Sequence, residues 1–218
     1  SLNFQSHIEQ TAFEKMVEEA RSLIRQGDMF QCVLSQRFSA EYSGRPLDYY
    51  RNLRVTNPSN YLYFYDFGDY QIIGASPESL VSVKQGQVTT NPIAGTRPRG
   101  QDEREDKSLA EELLADEKEV AEHRMLVDLG RNDIGKIAQN NSVEVTKYME
   151  VEYFRYVMHL TSVVRGQLLP QLTAMDALKS TLPAGTVSGA PKIRAMKRIY
   201  ELEAVSYTHL TLPTSALV

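Results

Sequence analysis

Apolar positions recur at helical spacing from Ile8 to Gln26, where Ile8, Ala12, Phe13, Met16, Ala20, Leu23 and Ile24 make one stripe. Gly27 stands where such a helix would end. The pattern then alternates over Met29–Ala40, with Phe30, Cys32 and Leu34 on one face, which predicts a strand. A short helix is predicted over Pro46–Arg54, closed by Asn57-Pro58-Ser59. Four β-rich runs follow, Tyr61–Phe67, Gln71–Ala75, Leu80–Lys84 and Gln87–Asn91; the Gly, Asp and Pro between them predict antiparallel hairpins. The longest helical pattern covers Lys107–Leu129. Val143–Glu150 and Tyr156–Val164 read as strands, and Thr173–Ser180 and Pro191–Glu203 as helices, Pro191 suiting a first helical position. Strand clusters broken by helices, with no βαβ rhythm, predict an α+β fold rather than a doubly wound sheet.

After Glu203 the periodicity stops. Ala204–Val218, AVSYTHLTLPTSALV, carries no acidic or basic side chain other than His209 and resembles translated adaptor sequence. It is read as a non-native tail in preference to a short C-terminal strand, and the domain is expected to occupy residues 1–203.

Composition narrows the class. With 42% hydrophobic and 24% charged residues in 218, the chain has globular composition. A net charge of −4 and no basic block argue against nucleic acid or an anionic membrane as partners. Cys32 is the sole cysteine, so an internal disulfide is impossible. No apolar run approaches the roughly 20 residues of a membrane span. The expected location is cytoplasmic.

No phosphate loop, dinucleotide fingerprint, HExxH or CxxC is present. Pro92–Gly100, PIAGTRPRG, is rich in Pro, Gly and Arg; backbone N–H groups, a hydroxyl and guanidinium groups there suit a carboxylate ligand, and a plain structural turn reads equally well. Glu119 and Glu122 lie three residues apart, so both project from one helix face. They suit a hard dication such as Mg²⁺, although the neighbouring acids make a solvated face the default. Thr186–Lys192 feeds a helix N-terminus, which favours an anion or simple capping by Ser188. His159 lies in an apolar strand, where a structural role is the commoner one, and Cys32 reads as a small core residue.

The order of these segments along the chain is more specific than any one of them. Gly27–Gln31, Leu34–Phe38, Ala75–Glu78, Pro92–Gly100, Asp116–Asp133, Val157–His159 and Pro183–Met196 together resemble the chorismate-utilising enzymes, and within that family the anthranilate synthase large subunits. The resemblance covers about residues 8–203. It implies antiparallel sheets sandwiched by helices, with chorismate and Mg²⁺ in a cleft. It implies Glu122 as an Mg²⁺ ligand, with Glu119 a turn away as a water-mediated partner. Gly95 and Thr96 match the chorismate-binding turn. Glu78 matches a general acid that protonates the departing C4 hydroxyl, a step that needs a raised pKa. Thr186 and His159 match residues of the cleft, His159 assigned to pyruvate elimination. A glutamine amidotransferase subunit is implied as the source of ammonia.

Two positions separate relatives. Gln31 stands where water-using isochorismate and salicylate synthases carry a lysine base, and Ala94 where aminodeoxychorismate synthases carry a lysine. Both imply ammonia as nucleophile and anthranilate as product, with an aminodeoxychorismate-type enzyme as the alternative. Asn60-Tyr61-Leu62 departs from the Pro-Tyr-Met of feedback-inhibited members. The family also continues past Glu203 with an arginine and a further metal-binding glutamate, so the 218-residue chain alone is expected to be inactive.

Overall fold

A computed structural model describes residues 2–57, 59–76 and 78–204, and the backbone alone for Ala204. The rest of the tail read as non-native lies outside the described residues. In chain order the elements begin β1 (Gln5–Ser6), α1 (Gln10–Arg25), β2 (Gln31–Cys32), β3 (Phe38–Ser39), α2 (Pro46–Thr56), β4 (Tyr61–Asp66) and β5 (Gln71–Ser76). Next come β6 (Ser82–Lys84), β7 (Gln87–Thr90), β8 (Ile93–Pro98), α3 (Glu103–Ala115) and α4 (Glu117–Gly135). The last are β9 (Glu144–Tyr153), β10 (Val157–Gln167), α5 (Ala174–Thr181), β11 (Gly189–Ala190) and α6 (Lys192–Ala204), with a 3₁₀ turn at Gly185–Val187 before β11. Every strand pairing is antiparallel, which with the interspersed helices makes the fold α+β.

The chain divides into two compact units, one of residues 1–42 with 183–218 and one of residues 43–182. The central strand of the second is β10. Along one edge it pairs with β9; along the other it pairs with β8 at its start and β7 at its end. Hairpin β6–β7 extends that edge, while β4 and β5 form a separate hairpin. Alternation along β10 buries Met158 and Leu160 with Ala110 and Leu113 of α3. Further along, Val164 packs with Val88, Val127 and Ile134. Each fully buried side chain of this size contributes about 1.5–3 kcal/mol relative to exposure.

The single helix predicted over Lys107–Leu129 is two. Asp116 is extended (ψ 102°) between α3 and α4, and its Oδ1 accepts from the N–H groups of Lys118 and Glu119, capping α4. Apolar spacing runs through the break, so periodicity cannot see it. Pro92–Gly100, which its composition marks as a turn, is mostly strand, because β10 supplies a partner. The strand predicted over Met29–Ala40 survives only as β2 and β3, two residues each.

In the first unit β2 pairs with β11, and Ala20, Met29, Ala195 and Leu202 form the core. Asp28, after α1, takes Arg194 Nε at 3.0 Å and Arg198 Nε at 2.8 Å. Those two guanidinium groups, Arg198 foremost, hold its carboxyl well below the usual carboxylate range. Ser35 donates from its backbone N–H to Glu203 Oε1 at 2.9 Å.

Candidate active site

The pairing of β8 with β10 contains one extra residue. Ile93 and Ala94 lie opposite Thr161 and Leu160, but Thr96 and Arg97 lie opposite His159 and Met158, so Gly95 is a bulge, at φ +71°. Side chains alternate faces, so one inserted residue exchanges the faces of all that follow. The bulge therefore turns Thr96 to the face of His159 and sends Arg97 toward the helices, where it pairs with Glu112 and Asp116. Glycine suits this position twice over. It tolerates positive φ, and a Cβ there would stand 3.0 Å from Leu113 Cδ1 and 3.4 Å from Glu119 Oε2.

His159 Nδ1 lies 2.9 Å from the Gly95 carbonyl oxygen and 3.1 Å from Thr96 Oγ1. A carbonyl only accepts, so Nδ1 carries the proton and donates it, which leaves Nε2 of the neutral ring as the free base. The Phe154 ring meets the imidazole edge-on at 5.3 Å. His159 also lines a cavity of about 570 Å³ with Glu78, Asn57, Ile93, Phe154 and Tyr156. Ser76 Oγ donates to the Glu78 carbonyl at 3.0 Å, fixing the backbone that carries this acid. The cavity is thus part apolar and part hydrogen-bonding, with an acid and an imidazole on its walls, and its size suits a small organic ligand.

Glu119 and Glu122 are both half-buried on the first two turns of α4. Glu119 reaches the helix side of the Gly95 bulge, 4.0 Å from Arg97 Nη1. Among the described residues no three Asp, Glu, His or Cys side chains converge as a metal cluster. Two carboxylates nonetheless fit Mg²⁺, which binds through one or two carboxylates and keeps water or substrate oxygens elsewhere. Ala94 is buried opposite Leu160, away from the cavity-lining side chains.

Gln31 and Thr186 belong to the other unit. Gln31 pairs with Ala190, and its Oε1 is buried with no hydrogen-bond partner among the described residues, beside a groove lined by Phe13, Val17 and Leu34. Thr186 is in the 3₁₀ turn before β11. Ser188, for which capping was the alternative to anion binding, donates from Oγ to the Ala184 carbonyl at 2.9 Å. The second unit therefore brings together Glu78, His159, Gly95, Thr96 and, behind the bulge, Glu119.

Some residues of the site were not given a role by sequence. Asn57 and Tyr156 line the cavity only because a helix end and a strand start meet there. His123, beside Glu122, is fully buried with Nε2 2.6 Å from Ser162 Oγ, which also accepts from the Met149 N–H at 2.8 Å. Its Nδ1 has no hydrogen-bond partner among the described residues, and burial lowers its pKa to about 4.

A family model described as chorismate binding enzyme matches residues 1–207. The chain is 62% identical over 202 residues to anthranilate synthase component 1 of Lactococcus lactis, covering 93% of this chain and 44% of that protein. It is 53% identical to the Aquifex aeolicus protein of the same name, over 92% of this chain and 41% of that one. Among solved structures, anthranilate synthase component I from Streptococcus pneumoniae is 78% identical with a TM-score of 0.84, over 92% of this chain and 44% of that one. An isochorismate synthase from Bacillus anthracis is 28% identical with a TM-score of 0.75, over 93% of this chain and 56% of that one. The chain spans less than half the length of the anthranilate synthase relatives named here.

Proposed function

The chain belongs to the chorismate binding enzyme family, and from that premise we propose that it is catalytic sequence of an anthranilate synthase, converting chorismate and ammonia to anthranilate and pyruvate in tryptophan biosynthesis. The observation that carries this is a contrast in similarity. Identity is 62% to a relative named anthranilate synthase component 1, against 28% to an isochorismate synthase of the same fold. Gln31 and Ala94 support the same reading, since neither side chain can act as the lysine base or amine nucleophile of the relatives that use water or form aminodeoxychorismate.

In this reading Glu78 protonates the C4 hydroxyl as it leaves, from a cavity wall that Ile93 and Phe154 make partly apolar. His159, its Nδ1–H committed to the Gly95 carbonyl, presents Nε2 as the acceptor for the C2 proton when pyruvate is expelled. Thr96, turned to that face by the bulge, hydrogen-bonds substrate and keeps the imidazole in place. Glu122 and Glu119 would hold Mg²⁺. When bound, the ion neutralises substrate carboxylate charge. The family resemblance gives Gln31 and Thr186, in the other unit, substrate roles of their own, and a glutamine amidotransferase subunit would deliver the ammonia. Among the described residues no helix is long and apolar enough to cross a membrane; we place the enzyme in the cytoplasm.

The test is a chimera in which residues 2–203 replace the matching segment of the Streptococcus pneumoniae protein. With chorismate, Mg²⁺ and ammonium it should form fluorescent anthranilate. Isochorismate or aminodeoxychorismate as the product, or no turnover by a folded chimera, would overturn the assignment. Glu122→Gln in the chimera should abolish Mg²⁺-dependent turnover, while exposed Glu111→Gln should not.

A further inference from the structure

A dianionic ligand entering the cavity of Glu78 and His159 needs a cation, and the nearby arginines are not equally free to supply one. Arg97 donates from Nε to Glu112 at 2.8 Å and from Nη2 to Asp116 at 2.9 Å. Arg99 donates from Nε to both Asp106 oxygens at 3.0 Å and from Nη1 to the Phe154 carbonyl at 2.7 Å. Both guanidinium groups of the PIAGTRPRG run therefore hold protein carboxylates and tie β8 to α3. They are structural ties, already neutralised.

Arg155 differs. It lies in the turn between β9 and β10 and lines the cavity itself, where it is the only Lys or Arg among the described lining residues. Its guanidinium stands over the Tyr156 ring at 5.0 Å from the centroid. Among the described residues no carboxylate pairs with it. The stacking satisfies the flat face of the guanidinium and leaves its N–H edge available, the edge that grips a carboxylate through two parallel hydrogen bonds.

We infer that Arg155 receives one carboxylate of the bound dianion in the cavity lined by Glu78 and His159. The inference rests on reading the chain as a chorismate enzyme, and it adds a substrate-anchoring residue at a position that no motif of the sequence marks.

Calorimetric titration of chorismate into the chimera described above, in the presence of Mg²⁺, tests it, with that chimera as the parent. Arg155→Gln should weaken binding roughly 10- to 100-fold, the loss expected for a hydrogen-bonded charge pair. Arg155→Glu should weaken it further, and Arg155→Lys, which keeps the charge without the fork, should fall between parent and Gln. Arg131→Gln, at an exposed pair with Asp128 on α4, is the charge control and should bind like the parent. Far-UV circular dichroism of each variant checks the fold. Equal affinity of parent and a folded Arg155→Gln, an equal loss in Arg131→Gln, or no binding of chorismate by the parent would each overturn the inference. If the chimera described above still forms anthranilate, such a result removes Arg155 alone and leaves the assigned reaction standing.

Discussion

At Gly95 the backbone runs at φ +71°, and the helix side is filled by Leu113 and Glu119. A β-carbon there would add the left-handed penalty of an L-residue, roughly 1–2 kcal/mol, to a 3.0 Å contact with a buried leucine. Gly95→Ala should therefore lower the urea midpoint by an amount equivalent to roughly 1–2 kcal/mol or more, with the slope unchanged. It should also weaken chorismate binding, because the carbonyl that fixes the His159 tautomer belongs to the strained residue. A stability loss with unaltered binding would show that the bulge holds the sheet without organising the site.

At the level of elements, α4 is tied to β10 and β9 by one buried link, His123 to Ser162 Oγ to the Met149 N–H, and Met149 is itself at φ +54°. Burial holds His123 neutral with a pKa of about 4, against 6.5 for the ordinary group. The unfolded chain thus takes up this proton at higher pH than the folded one. The stability this residue contributes is complete above pH 6.5 and is lost as pH falls toward 4. Between pH 7 and 5 the parent should lose roughly 1–2 kcal/mol more than His123→Gln does, measured by urea unfolding at both values. Parallel losses would mean that the imidazole is solvated in the folded state.

Sequence reading reached most of these elements, and the misses share a cause. Apolar spacing located α1, while Pro, Gly and Asp signals marked out α2, α6 and the hairpins, cues that are local to each element. It ran α3 into α4 because Asp116 breaks the helix with a cap while Leu113 and Val120 keep the spacing. It set PIAGTRPRG outside the sheet because composition is local and pairing with β10 is not. Glu78, Gly95, Thr96 and His159 were legible as residues, but their meeting depends on a one-residue bulge that no periodicity records. Arg155 was invisible for the same reason: its value lies in what Arg97 and Arg99 are already holding.

Over the whole molecule, the unit of residues 43–182 owns its core, from Val88 and Ile134 through to Met158 and Leu160. Expressed alone it should unfold in one cooperative urea transition. Residues 1–42 alone should show no such transition, because β2 would lose β11 and Met29 would lose Ala195 and Leu202. A non-cooperative 43–182 fragment would mean that this core depends on the remainder of the chain.

The first unit is closed by two segments far apart in the chain, Ser35 meeting Glu203 across 168 residues. During synthesis its two halves are made far apart in time. At about 5–20 residues per second, Ser35 leaves the ribosome roughly 10–30 seconds before Glu203 exists. The unit of residues 43–182 can finish folding while α1 still waits for α6. For that interval the stripe of Phe13, Met16 and Leu23 is bare, an apolar surface open to a chaperone.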